Sequence, residues 1–398
     1  MVPLSHQPPA TTDNLEYLDS LQGSGIRPGL SRMRALLRAL RNPERAYRSV
    51  IVAGTNGKGS TSAMIDAILR AAGHRTGFYT SPHLIDIRER WQIAGSPIDP
   101  DLLDRCIDEM RAAADAIGIV PTYFEALTLI AFIAFARAEC DIAVLEVGMG
   151  GRLDATNVVK PIASVITPVS FDHQEFLGNT IVQIAREKAG IVHLGSIVLT
   201  SNDDERVLRV IRRRAAKFGS DVIHVTGEHD TPLAGAFQRR NAALAVATAR
   251  ALGVGEEAIE RGVKSTRWRG RLERFDVDGK QIWIDGGHNA HAAEAIAPFL
   301  AALPRPRVLV FGIMSDKDVS AVQSVMYPLF DRIITTEPYP PRSAPAQKLA
   351  TAGNAIAEPD PERAFDKALR TEAKTIVITG SLYLAGAALQ FFDKIGRS

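Results

Sequence analysis

Short apolar, β-branched runs alternate along this chain with longer segments whose apolar residues recur at helical spacing. The first run is VIVA at 50–53, followed by Met64, Ile65, Ile68, Leu69 and Ala72 at i, i+3 and i+4 intervals. DIAVLEV at 141–147, IASVIT at 162–167 and IVLT at 197–200 continue the series. Such βα alternation predicts a parallel, doubly wound sheet, with ligands gathered beyond the carboxyl ends of its strands. A second series starts later: QIWID at 281–285, a helix from about Ala290, RVLVFG at 307–312, DRIITT at 331–336 and TIVITG at 375–380. Between them lies K-S-T-R-W-R-G-R-L-E-R-F, residues 264–275, basic and broken by Gly270. The pattern predicts two α/β domains, 1–265 and 275–398, joined by a charged linker at 266–274, with an interdomain cleft as a natural ligand location.

Composition narrows the class of partner. The 398 residues are 46% hydrophobic and 23% charged, with a formal net charge of +2. That describes a soluble globular protein without the positive excess of a nucleic-acid binder that relies on phosphate contacts, so no nucleic-acid partner is expected and small molecules are. Cys106 and Cys140 do not form a C-x-x-C pair, which argues against a disulfide framework or structural zinc and fits a reducing cytoplasm. The start of the chain lacks a basic, apolar secretory signal, and no apolar stretch reaches about eighteen residues, so no membrane partner is expected either. The proline-rich first dozen residues are expected to be mobile.

Residues 50–61, V-I-V-A-G-T-N-G-K-G-S-T, resemble a phosphate-binding loop with altered glycine spacing. The glycines let backbone N–H groups turn toward a phosphate at the positive end of the following helix, and Lys58 adds a point charge. The alternative is a glycine-rich turn that binds nothing. Nucleotide phosphates need magnesium, an oxygen-seeking ion commonly held by few protein ligands plus water. Glu146, at the end of A-V-L-E-V, is the leading carboxylate, because it would be costly to bury unpaired; pairing with Arg152 is the competing explanation. His173 in T-P-V-S-F-D-H follows another strand and either ligates a metal or orients a water, or is a surface hydrogen-bonding residue. Ser81 precedes Pro82 and is also explained by turn chemistry. Lys188 closes a helix before Gly190, where a cation suits the dipole and the glycine a cap. In D-G-G-H-N at 285–289, Asp285 and His288 either face a crevice or belong to an ordinary turn.

Taken together, GTNGKGS, YTSPHL, TYFEALT, EVGMGGRLDATN, SFDHQEFLGNT, EKAGI, QRRNAALA, RWRGRLE, DGGHN, SDKD and TGSLYLAG resemble, in order and over almost the full chain, the folylpolyglutamate synthase and dihydrofolate synthase branch of the Mur ligases. The resemblance implies a P-loop-type N-terminal ATPase domain with a parallel sheet and a smaller, Rossmann-like C-terminal α/β domain. It implies an ATP-dependent amide ligase: a pterin-bearing carboxylate takes the γ-phosphoryl group, and the amine of L-glutamate displaces phosphate from the acyl phosphate. Dihydropteroate and reduced folates are the implied acceptors of glutamate, in a cytoplasmic monomer.

Carried over by motif, Gly57, Lys58, Gly59 and Ser60 look like the ATP phosphate cradle. Ser81, Glu146 and His173 look like magnesium ligands, and Lys188 matches a lysine that the family carbamylates to hold a second magnesium. K+ is a further implied cation. Asn241, Arg271 and Asp285, with His288 beside them, match positions that reach ATP, which implies a site completed by domain closure. Thr122, Tyr123, Phe124 and Glu125, with Leu153, Asp154 and Ala155, match segments that hold dihydropteroate; the alternative for T-Y-F-E is the start of an amphipathic helix with both aromatics in the core. Lys317 is the candidate for the glutamate carboxylate. D-G-G-H-N-A replaces the family's common D-G-A-H-N-P, and S-F-D-H its frequent S-L-D-H, changes that spare every proposed ligand. Two competing readings are a cell-wall Mur ligase, opposed by YTSPHL and GGRLDATN, and a nucleotide-binding regulatory module, opposed by the joint presence of Glu146, His173 and Lys188.

Overall fold

The computed structural model describes residues 12–25, 27–339 and 341–395. Residues 1–11, nearly all of the proline-rich start, lie outside that set. The chain forms two compact units, Met1–His83 with Arg88–Asp230 and Arg240–Thr266, and Leu84–Ile87 with Thr231–Arg239 and Arg267–Ser398.

The first unit is built on strands β1 (Arg48–Ala53), β2 (Thr76–Tyr79), β3 (Trp91–Ile93), β4 (Ser96–Pro97), β5 (Ile142–Glu146), β6 (Ala163–Ile166), β7 (Ile197–Thr200) and β8 (Val222–His224). Their order is β4-β3-β2-β5-β1-β6-β7-β8, parallel from β2 to β8, with β3 and β4 antiparallel at one edge. The chain passes from β1 to β2 on one side and later to β6 on the other, so the order reverses around β1, the topological switch at which such sheets bind ligands. Register sets the site. Val52 lies opposite Glu146, Ala53 opposite Ile166 and Tyr79 opposite Leu145, so β1, β2, β5 and β6 end at one level.

The helices bearing on the site are α1 (Lys58–Ala71), α2 (Tyr123–Arg137), α3 (Ile181–Ala189), α4 (Glu205–Ala216), α5 (Ala236–Ala251) and α6 (Glu256–Ser265). Ile184, Ala185, Ala189, Val207 and Ile211 of α3 and α4 pack on Ile51, Ile166 and Val198 of the sheet. α2 is buried from Glu125 to Phe135 rather than amphipathic, because it is covered all round. α6 approaches α1 so closely that a Cβ on Gly262 would strike the backbone of Ile68.

The second unit contains β9 (Glu273–Val277), β10 (Lys280–Ile284), β11 (Arg307–Phe311), β12 (Arg332–Thr335), β13 (Ala355–Ala357) and β14 (Thr375–Thr379), in the order β13-β12-β11-β14-β10-β9, with only the β9–β10 pair antiparallel. Ile282, Val308, Val310, Ile376 and Ile378 face one apolar layer, and Trp283, Leu309, Phe311 and Val377 face the other. This two-sided burial explains the near-continuous apolar runs. The stretch read as a linker is ordered, since β9 begins inside it at Glu273. Among the described residues, no helix is long and apolar enough to cross a membrane.

Candidate active site

The apolar run of β1 stops at Ala53, and Gly54 turns with φ of 155°, a region that favours glycine. A Cβ there would overlap the Thr167 hydroxyl just beyond β6. That hydroxyl donates to Asn56 O at 2.8 Å, while Thr55 N donates to Pro168 O at 2.9 Å. Thr55 Oγ1 donates to Ser170 O at 3.0 Å and accepts from Ser170 N at 2.9 Å. The loop is thus strapped to the end of β6. Gly57, with φ of 84°, caps α1, and a Cβ on it would come 2.5 Å from Oδ1 of buried Asn241 on α5. The first intrahelical bond runs from Thr61 N to Gly57 O, so the amides of Lys58, Gly59 and Ser60 precede the helix ladder at its positive end. Thr61 Oγ1 and Ser62 Oγ are buried in the same turn with no hydrogen-bond partner among the described residues. Hydroxyls and amides at a helix start suit a phosphate-bearing ligand.

Two lysines converge on this loop. Lys58 Nζ donates to Gly54 O at 3.2 Å and Thr55 O at 3.1 Å, and Lys188 Nζ donates to the same Gly54 O at 2.7 Å. Lys188 is not a solvated helix-end cation. It is 4% exposed, and Gly190 after it is right-handed (φ −59°) rather than a left-handed cap. What requires glycine at 190 is close approach, because a Cβ would strike Arg152. Burial, with the Lys58 charge nearby, pulls the Lys188 amine from 10.5 down to about 7, opposed by Asp172 and Asp154.

Glu146 ends β5 beside the loop, buried. It accepts a short hydrogen bond from Thr80 Oγ1 and a longer one, 3.4 Å, from Ser81 N. The expected competitor is otherwise engaged, since Arg152 pairs with Glu187 at 2.9 Å. His173 lies on the left-handed residue before a four-residue helix, with Nε2 3.9 Å from Asp172 Oδ1 and its side chain 37% exposed. Among the described residues no three His, Cys, Asp or Glu side chains form a metal-binding group. One buried carboxylate with a neighbouring serine hydroxyl still matches the sparse oxygen donors that magnesium takes.

The T-Y-F-E segment begins α2 with a capping box. Thr122 Oγ1 accepts from Glu125 N at 3.3 Å, and Glu125 Oε2 accepts from Thr122 N at 2.8 Å. The Glu125 carboxylate is also held by Arg32, at 3.1 Å to each oxygen. Tyr123 and Phe124 are partly buried, outside the fully buried stretch of the helix. Phe124 lies against Tyr79 with ring centroids 6.1 Å apart, and over Gly148, where a Cβ would overlap its ring. Asp154 is likewise an organiser: buried, it accepts from Gly148 N and Met149 N at 3.1 Å each and from Thr156 N at 3.0 Å. Burial pushes its carboxyl up despite these bonds. Leu153 beside it remains 37% exposed, while Ala155 is buried.

In the second unit Asp285 is buried and accepts from Leu272 N at 3.0 Å and Gly287 N at 2.7 Å, joining the Gly270–Leu272 turn to the end of β10. Burial raises its carboxyl, opposed by Arg271, whose Nη1 donates to Gly270 O at 3.1 Å. His288 Nδ1 contacts Gly286 O at 3.0 Å, and Asn289 caps the next helix through Ala292 N. Lys317 lies in the turn before a helix capped by Asp318.

Sequence reasoning missed Thr80, Asp172 and the Thr55–Ser170 strap. Thr80 and Asp172 sit inside motifs that were noticed, one residue from Ser81 and His173. The strap is invisible without the β1–β6 register.

The Mur ligase middle domain family matches residues 52–241, and the Mur ligase glutamate ligase domain family matches 270–382. The Mycobacterium tuberculosis dihydrofolate synthase/folylpolyglutamate synthase is 35% identical, over 93% of this chain and 91% of that protein. A Halobacterium salinarum protein, named a probable bifunctional folylpolyglutamate synthase/dihydropteroate synthase, is 36% identical over 94% of this chain, but the chain spans only 50% of its length. The structure of E. coli FolC with DHPP and ADP superposes with a TM-score of 0.89 at 30% identity, over 98% of this chain and all of that one. With both ligase domains matched in order, the chain belongs to the dihydrofolate synthase/folylpolyglutamate synthase family of the Mur ligases and is a ligase of that family.

Proposed function

We propose that the protein joins L-glutamate to dihydropteroate, giving dihydrofolate, and to reduced folates, giving polyglutamates, with ATP as the energy source. The observation that carries this reading is the convergence of Lys58 and Lys188 on the Gly54 carbonyl, one strand from Glu146. The first-turn amides and Lys58 hold the terminal phosphates. A pterin carboxylate oxygen attacks the γ-phosphorus, the bond to ADP breaks, and an acyl phosphate forms. The amine of glutamate then attacks the acyl carbon, loses a proton, and phosphate leaves with its bonding pair. Lys58 stabilises the charge that gathers on the transferred group. Tyr123, Phe124 and Leu153 supply an aromatic and apolar wall for the flat ring, while Thr122, Glu125, Asp154 and Ala155 fix that wall in place. Asn241 positions the loop, and Asp285, Arg271 and His288 are assigned to ATP on family grounds.

Magnesium bound by Ser81, Glu146 and His173 would neutralise phosphate charge. The lowered basicity of Lys188 leaves amine available at neutral pH to add carbon dioxide, forming an N–C bond and releasing a proton. The resulting carbamate would meet Lys58 as an opposite charge instead of a like one, and would supply oxygen donors for a second magnesium. K+ completes the cation set on family grounds, in a cytoplasmic monomer.

The test is purified protein with ATP, magnesium, glutamate and either dihydropteroate or tetrahydrofolate, scored for phosphate and amide product. Product with wild type and none with a folded Lys58→Ala is expected; ATP turnover independent of any pterin would sink the reading. For Lys188, a carbamate resonance in ¹³C NMR after addition of ¹³C-bicarbonate, absent in Lys188→Met, is the readout independent of activity.

A further inference from the structure

The first unit carries a second concentration of charge that ligation leaves unused. α4 reads E-R-V-L-R-V-I-R-R-R-A-A, with Val207, Leu208, Ile211 and Ala215 turned into the protein. Arg206, Arg209, Arg213 and Lys217 recur at helical spacing on another face and share a cavity of about 520 Å³ with Arg186 of α3. Val182, Ala189 and Val210 supply its apolar lining. The volume lies within the range of small-molecule sites.

Several surface cations are matched: Arg212 with Glu205, Arg250 with Glu256, Arg152 with Glu187 and, in the cavity itself, Arg206 with Asp204. Arg186, Arg209, Arg213 and Lys217 have no acidic partner among the described residues. Beside them Arg214 stacks over Phe218, and its buried Nε has no hydrogen-bond partner among the described residues. Like charges gathered in one concavity repel one another and focus a positive field, a cost that a multiply charged anion relieves. The apolar lining and the arginine stems favour an anion whose charges are separated by methylenes over a compact polyphosphate.

We infer that this cavity docks the oligo-γ-glutamate chain of elongated folates, a flexible polycarboxylate with two methylenes in each repeating unit. This rests on the ligase reading above, which makes such a chain the protein's own product.

The experiment is calorimetric titration of the full chain with free penta-γ-glutamate at low salt. One-to-one binding is expected, weakened at least tenfold in Arg209→Ser/Arg213→Ser and unchanged in Arg212→Ser, whose arginine is paired outside the cavity. In ligation assays the double variant should raise KM for a triglutamyl folate while leaving kcat and the KM for a monoglutamyl folate unchanged. Absence of binding, binding indifferent to Arg209 and Arg213, or tighter binding of inorganic triphosphate would overturn the inference. Should wild type bind the pentamer through these arginines yet ligate nothing, the ligase reading falls and the polycarboxylate site stands.

Discussion

Replacing Lys188 with methionine tests whether a buried amine of lowered basicity faces the loop. The amine is 2.7 Å from Gly54 O, with its pKa moved from 10.5 to about 7. That shift corresponds to roughly 5 kcal/mol for keeping the amine protonated in the fold. Methionine removes this cost with similar volume but also deletes a charge-assisted hydrogen bond worth about 2–3 kcal/mol. A net gain of roughly 2–3 kcal/mol is expected at pH 6. The sign follows from linkage. Between about pH 7 and 10.5 the unfolded chain binds more protons at this lysine, so wild-type stability contributed here rises with pH, and the full penalty is present below pH 7. The advantage of Lys188→Met should therefore shrink by about 1.4 kcal/mol per pH unit, vanish near the middle of that window and reverse towards its top. Urea unfolding in metal-free, carbon-dioxide-free buffer at pH 6, 7.5, 9 and 10 measures the difference. A pH-independent difference, or a variant less stable than wild type at pH 6, would refute the buried free-base assignment.

Gly54→Ala forces a Cβ onto Thr167 Oγ1 at a positive φ and should cost about 2–4 kcal/mol in denaturant unfolding, partly recovered by adding Thr167→Ala. Glu125→Ala removes half of a capping box and leaves Arg32 without this carboxylate, so a loss of about 1–2 kcal/mol is expected in the same measurement, with a raised KM for the pterin substrate. Thr80→Val removes the hydroxyl that orients Glu146 and should raise the magnesium concentration for half-maximal activity by roughly 10-fold or more, with the fold unchanged by circular dichroism.

The sheets were legible because strands buried on both faces show as apolar runs. VIVA, IVLT and TIVIT lie in β1, β7 and β14, and the helix expected from about Ala290 starts there. β8 and β13 escaped, being three-residue strands without full burial, and β9 was hidden by its charges, since Arg274 and Asp276 alternate with Phe275 and Val277 at a sheet edge and Glu273 opens the strand. The loop was readable from its glycines. The role of Lys188 was not, because a lysine before a glycine at a helix end fits a surface cap as well as a buried amine, and only the approach of Arg152 to Gly190 and of Gly54 to Nζ separates the two. Glu125 and Asp154 show the converse: the motif match assigns both to the dihydropteroate site, and only the structure shows that their carboxylates also accept hydrogen bonds from backbone amides nearby in sequence.

The central claim is that phosphoryl transfer to the pterin carboxylate occurs at the loop held by Lys58. It is tested most directly with dihydropteroate carrying ¹⁸O in both carboxylate oxygens, by ³¹P NMR of the phosphate released during ligation. An acyl phosphate requires one labelled oxygen in each phosphate formed; unlabelled phosphate accompanying amide product would contradict the account.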